Sequence, residues 1–244
     1  MNGKGVEISR GDMGMDYNFE KYYEEHFPVW NKLSPEQQSL LCRFSTYAEY
    51  DRGENIHGNS GRCTGAVFVI SGSLRTYMLS EEGREITLYR LNAGSFCMLS
   101  ASCVLKTITF DVFVDAEEKS RVLIINPEMF SRVMSENLYL ENYALKVATS
   151  RFSDVMWAMQ QILFMSFDRR LALFLIQELT QKGGDTVYLT QESIAKYMGS
   201  AREVVSRMLK YFSNEGLVEV SRGGVKVLDK PRLSAIAGLG YIGN

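Results

Sequence analysis

The chain has 244 residues, 45% of them hydrophobic and 23% charged, ordinary proportions for a globular protein with one large domain or two modest ones. No apolar run approaches the roughly 18–20 residues that a bilayer span requires, and the N-terminal stretch MNGKGVEISRGDMGMDYNFEKYY has no apolar core of a secretory signal. A formal net charge of -2 gives by itself no sign of a polyanionic partner.

Residues 1–16 are rich in Gly and polar types and read as a flexible tail. NFEKYYEEHFPVWNKLSPEQQSLLCRF is helical in pattern, with Ser34 as N-cap and Pro35 as first helical residue. From Tyr47 to about Ile125 the period becomes two. The runs AVFVISGSLRTYML, REITLYRLNAGSF and ITFDVFVDAEEKSRVLII are punctuated by Ser71-Gly72, Glu82-Gly83 and Ala93-Gly94, which predicts an antiparallel, jelly-roll-like β-roll over 17–134. Pro127 opens a helical region, and a long helix follows over 135–167. Along it Leu138, Leu145, Ala148, Phe152, Val155, Met159 and Ile162 recur at alternating steps of three and four, broken only at Glu141. Tyr143, Val147 and Trp157 lie off this seam, on a face expected to cover the roll. A helix apolar on two sides needs two partners, so Leu145, Ala148, Phe152, Val155, Met159 and Ile162 are assigned to a homodimer interface; a single buried helix in a monomer is the other reading.

From Asp168 the charge changes sign: residues 168–244 carry a net +3 and the remainder -5. RRLALFLIQELTQ is a helix that stops at Gly183-Gly184. Gln191 to Phe212 then has helix–turn–helix spacing. Ala195 is small where two helices cross, Gly199 stands where the turn needs positive φ, and Val205 packs the second helix on the first. Ile194, Met198, Met208 and Leu209 fill the shared core, and Thr190 and Ser200 are placed to N-cap the two helices. LVEVSRGGVKVL supplies two short strands about Gly223-Gly224, a β-hairpin wing. The fold class is therefore α+β: the roll, a long dimerisation helix and a winged helix–turn–helix over 168–232, with 233–244 as a tail.

The second helix of such a unit enters the major groove with its N-terminal half. Arg202, Glu203, Ser206 and Arg207 project there and are read as base-contacting residues: a guanidinium donates two hydrogen bonds to guanine, and a carboxylate accepts from cytosine. Glu203 also fits a capping box with Ser200. Lys196, Lys210 and Arg222, with Thr190 and Ser200, are read as phosphate contacts.

LTQESIAKYMGSAREVVSRMLKYFSNEGLVEVSRGGVKVLD closely resembles the winged helix–turn–helix of the Crp–Fnr superfamily of transcription regulators, and VFVISGSLRTYMLSEEGREITLYRLNAGSF resembles its cyclic-nucleotide-binding-like sensor. The likeness runs over about residues 17 to 232. It implies a homodimer on a near-palindromic operator, with RNA polymerase as a partner; the cytoplasm is expected from four cysteines without CxxC spacing and the missing signal. Arg202, Glu203 and Arg207 match the base-reading positions of the catabolite-activator branch, and Glu203, Ser206 and Arg207 match the Glu-x-x-Ser-Arg signature of the Fnr branch. A TGA-containing half-site follows, with TGTGA-like and TTGA-like flanks both open.

The sensor departs from both branches. Met98 and Leu99 stand where cyclic-AMP binders carry a Gly-Glu pair, and only Lys106-Thr107 lies near the Arg-Ser position, so cyclic AMP binding is not expected. No Cys precedes Cys42, so the iron–sulfur cluster of the Fnr branch is not expected either. Cys97 and Cys103 have two readings, a thiol, metal or haem sensor or two buried small hydrophobes. Tyr77, Tyr89 and Arg90, with those cysteines, are candidate effector-pocket residues, and the effector itself is unidentified. His26 and His57 are isolated, so no metal site is assigned. No nucleophile–base pair or phosphate-cradling loop points to catalysis. The expected function is a sequence-specific, effector- or redox-controlled DNA-binding regulator. The alternative is a cyclic-nucleotide-like regulatory subunit of an enzyme or channel, against which the wing and the Arg-Glu-Arg helix argue.

Overall fold

The computed structural model describes residues 17–58, 65–98 and 112–239. Two short helices, α1 (Phe19–His26) and α2 (Pro35–Arg43), come first. Ser34 caps α2: its hydroxyl accepts from the Gln37 N–H, and the Gln37 side chain accepts from the Ser34 N–H. This reciprocal pair is what the Ser34-Pro35 signal requires.

Eight strands follow: β1 (Ser45–Tyr50), β2 (Asn55–His57), β3 (Ala66–Ser71), β4 (Ser73–Leu79), β5 (Glu85–Asn92), β6 (Phe96–Cys97), β7 (Phe113–Ala116) and β8 (Ser120–Ile125). They form two four-stranded sheets, ordered β1-β8-β3-β6 and β2-β7-β4-β5, and every strand pairing is antiparallel. Alternation along β3 decides how the layers stack. Val67 and Val69 join Leu74, Leu91, Val114 and Val122 in a core between the sheets. Ala66 and Phe68 point the other way, into a second core with Tyr23, Trp30, Phe130 and Leu140. One sheet is thus buried on both faces, which is why β3 reads as an unbroken apolar run.

The second core is roofed by α3 (Pro127–Glu136) and by the start of α4 (Leu138–Phe164), a single 27-residue helix capped by Asn137. Leu140 and Ala144 are its fully buried residues, with Tyr143 and Val147 packed beside them. The chain bends at Met165 and Ser166 into α5 (Phe167–Lys182).

The C-terminal unit has its own core, built from α5, β9 (Thr186–Val187), α6 (Gln191–Met198), α7 (Arg202–Asn214), β10 (Val218–Ser221), β11 (Gly224–Val227) and α8 (Lys230–Ala237). β10 and β11 pair as the expected hairpin, and β9 adds to β11. The tail expected from residue 233 does not begin there. Asp229 caps α8 by accepting from the Arg232 N–H, and Leu233 and Ala237 are buried under α5. Burial against a helix distant in sequence orders a segment whose own composition gives no period.

Gly72 links β3 to β4 at φ +85°, and a Cβ there would lie 2.3 Å from Ser120 Oγ and 2.7 Å from the Lys119 carbonyl oxygen. Left-handed backbone and backbone contact both exclude a side chain. Gly72→Ala is expected to lower unfolding free energy by about 2 kcal/mol or more, measured by urea denaturation. Unchanged stability would contradict this account of the turn.

Candidate DNA-binding interface

The turn between α6 and α7 is set by Gly199, in the left-handed region at φ +59° and ψ 40°. Its C-cap position lets the Ser200 N–H donate to the Ala195 carbonyl at 3.0 Å, closing α6. Ile194, Ala195, Met198, Val205, Leu209 and Phe212 are all buried where the two helices cross. These contacts fix α7 with its opposite face in solvent. Arg202, Glu203, Arg207 and Lys210 are exposed on that face, Ser206 is half-buried, and among the described residues none of the four charged side chains has an ion-pair partner. A row of two guanidinium groups, one carboxylate and one ammonium is therefore free to meet a polar surface.

Thr190 caps α6, accepting from the Ser193 N–H at 3.1 Å. Ser200 does not cap α7 as its position led one to expect. That helix starts one residue later, with Ala201 at the N-cap and no side-chain capping bond. The capping box with Glu203 is consequently absent, and the Glu203 carboxylate is left uncommitted. A groove of about 380 Å³ runs between the start of α6, Arg202 and the wing, where Arg222 and Ser221 stand.

Lys196 falls elsewhere. Its ammonium lies 3.1 Å from Glu85 Oε1, on β5 of the roll, because α6 packs its far side against that strand and Gly199 seats on Ile86. Lys196 belongs to a charged junction between roll and C-terminal unit, not to the row on α7. Arg90 on β5 donates from Nε to Glu117 at 3.1 Å and from Nη1 to Glu178 of α5, with Cζ 4.2 Å above the Tyr197 ring. The Tyr197 hydroxyl donates to Glu117. Arg75 binds Glu85 and lies 4.2 Å over Tyr77. Burial opposes the charge on Arg90, but Glu117 and Glu178 outweigh it and hold its pKa above the ordinary arginine value. Burial, then Glu117, push Tyr197 up to about 12. Burial works against the Glu85 carboxylate as well, but Arg75 and Lys196 hold its pKa below the usual range.

Of the five candidate effector residues, the four described ones are not brought to one place. Tyr89 and Cys97 point into the core between the sheets, and Arg151 of α4 lies 5.2 Å over the Tyr89 ring. Tyr77 stacks on Phe113 at 5.3 Å and, like Arg90, belongs to the opposite face of its sheet, toward α6. Alternation explains the split: Leu74 and Tyr89 face inward where Arg75 and Arg90 face out. Cys103 lies outside the described residues. Burial raises the Cys42 thiol to about 11, and among the described residues no three His, Cys, Asp or Glu side chains are grouped to hold a metal.

On α4 the exposed apolar stripe runs through Leu145, Phe152, Met156, Met159 and Leu163, with Ile162 at its margin. Val155 leaves it, turned into the roll core, and Ala148 is half-buried. The seam is thus shifted by one residue at Met156 and Leu163. The signal sequence reasoning passed over was Glu178, one carboxylate inside the apolar run LALFLIQEL and only 2% exposed.

Two family models match the chain, a Crp-like helix–turn–helix domain over residues 169–236 and a cyclic nucleotide-binding domain over 47–137. The chain is similar to a protein of the Crp/Fnr family from Eubacterium rectale, whose crystal structure superposes with a TM-score of 0.85 at 42% identity, covering 88% of this chain and 99% of that one. It is 23% identical over 210 residues to the cyclic AMP receptor protein of Thermus thermophilus (86% of this chain, 96% of that protein). It is also 26% identical over 183 residues to the transcriptional activator protein anr of Pseudomonas aeruginosa (71% and 73%).

Removing one partner of a buried pair strands the other charge. Arg90→Met is expected to lower stability by about 3 kcal/mol, and adding Glu178→Met should restore part of that loss. Losses of Arg90→Met and Glu178→Met that simply add in the double variant, by urea denaturation, would show the two residues to be uncoupled.

Proposed function

The chain belongs to the Crp/Fnr family of transcriptional regulators, and on that premise we propose that it acts as a homodimer on a near-palindromic operator with TGA-containing half-sites. The observation that carries the reading is the uncommitted row Arg202, Glu203 and Arg207 on the exposed face of α7, held by an apolar crossing on the other. Arg207 and Glu203 read one G·C pair, Arg202 and Ser206 its neighbours. Lys210, Arg222 and the start of α6 at Thr190 contact phosphates and set register. A half-site for each protomer places the two α7 helices about one helical turn of DNA apart.

The dimer is supported by the apolar stripe on α4. Phe152 is 64% exposed and Leu163 65% exposed, and an apolar surface of that length on a single helix is stable in water when a second copy covers it. The signal is read by the β-roll and reaches α7 through α4 and the Arg90 junction. Cyclic AMP is not the expected effector: Met98, buried and apolar, stands where a ribose-binding pair would be. RNA polymerase is the expected protein partner at the promoter.

Arg207→Ala is expected to weaken operator binding by about 1–3 kcal/mol and to relax preference at one base pair, in fluorescence-anisotropy titrations against a set of single-substituted operators. Binding as tight and as selective as the parent's would remove Arg207 from the base-reading set. Phe152→Glu is expected to convert the dimer into monomer with helical content intact, by sedimentation equilibrium with circular dichroism; a variant that sediments as the parent does would remove α4 from the interface.

A further inference from the structure

The roll, α4 and the C-terminal unit leave between them a cleft of about 470 Å³, walled by β5, the second half of α4, α5 and α6. On α4 the cleft meets Arg151, Asp154, Ala158 and Gln161, at steps of three, four and three residues. That face is centred away from the stripe of Phe152, Met156, Met159 and Leu163, with Ile162 lining the cleft at the border between the two. Trp157, Phe174 and Tyr197 give it an aromatic wall, the last two stacked at 5.4 Å.

Its charges do not balance. Asp154 is taken by Arg151 at 2.9 Å, and Glu178 by Arg90 and by Lys182 at 3.5 Å. Arg170 is half-buried and, among the described residues, has no carboxylate within ion-pair distance. Nη2 donates to the Met198 carbonyl, which leaves most of its five N–H donors unused. Burial lowers its pKa from the usual arginine value. Elsewhere in the lining Arg151 Nε, Arg90 Nη2, Thr87 Oγ1 and Tyr89 Oη are buried with no hydrogen-bond partner, as is one acceptor, Glu178 Oε2, which faces Lys182 Nζ at 3.5 Å. Gln161, Gln177 and Gln181 add neutral amide donors to the rim. An uncompensated guanidinium among surplus donors and aromatic faces calls for an anion with an apolar body.

We propose that this cleft binds a small carboxylic acid, its carboxylate held in a forked pair by Arg170 and its apolar part against Trp157, Phe174 and Tyr197. The assignment goes beyond the DNA-binding reading and does not rest on it, since binding is measured on the protein without DNA. The chain has two tryptophans. Trp30 is sealed in the roll core, whereas Trp157 is about half-exposed at the cleft, so emission reports on the site. The purified full-length protein is titrated with sodium benzoate, sodium succinate and inorganic phosphate at constant ionic strength. A saturable change in Trp emission is expected with at least one carboxylate, and a weaker response with phosphate. Arg170→Gln is expected to raise the dissociation constant at least about tenfold. Gln177→Glu, on an exposed helix position where folding is not at risk, adds a repelling charge and should do the same, whereas Glu128→Gln, exposed on α3 and outside the cleft, should leave binding unchanged. No saturable response to either carboxylate up to about 10 mM overturns the site, as does a response that survives both Arg170→Gln and Gln177→Glu. Phosphate binding as tightly as the carboxylates overturns the ligand class.

Discussion

The position of the DNA-binding unit depends on an exchange of charge across its junction with the roll. β5 presents Arg90 to Glu178 of α5, and α6 presents Lys196 to Glu85 of β5. Each side supplies a cation and an anion to the other. Arg90, Glu178 and Glu85 are all at most 17% exposed in their side chains, so moving one unit against the other breaks these buried pairs, and a displacement too small to admit water leaves a charge without its partner. Such a junction fixes direction more than it adds stability: planar guanidinium groups that lie over Tyr197 and Tyr77 and also bind carboxylates have few orientations that keep both contacts. Those orientations decide where α7 points.

The two cores divide the work on either side of this junction. In the roll, a sheet buried on both faces ties α1, α3 and the first turns of α4 to the strands, so the first half of α4 moves with the sensor. The second half of α4 touches the roll through Val155 and β5 and borders the cleft and α5. A single helix is thus rigidly held at one end and more lightly at the other.

Local chemistry was legible wherever one short segment determines the outcome. Ser34-Pro35, Gly199 with its flanking apolar residues, and the Gly223-Gly224 hairpin each act within a few residues, and the structure realises each of them. Illegible features were those settled by partners distant in sequence. α8 forms because α5 offers a surface to Leu233 and Ala237. Val155 leaves the stripe because the roll claims it, which one helix's periodicity cannot tell from a seam position. Ser200 misses its cap by one residue, since the turn at Gly199 takes its N–H back to Ala195. Residue type marks Lys196 and Arg90 as cations but not their partners, Glu85, Glu117 and Glu178, which lie far away in sequence.

The unbroken run of α4 has a mechanical consequence. At 1.5 Å per residue its 27 residues extend about 40 Å. Over that length a tilt of only about 5° displaces the far end by about 3.5 Å, close to the rise of one base pair along DNA. A lever of this reach turns side-chain-sized adjustments beside the roll into whole steps of register on a duplex. A shorter or kinked helix would need a rearrangement several times larger for the same displacement.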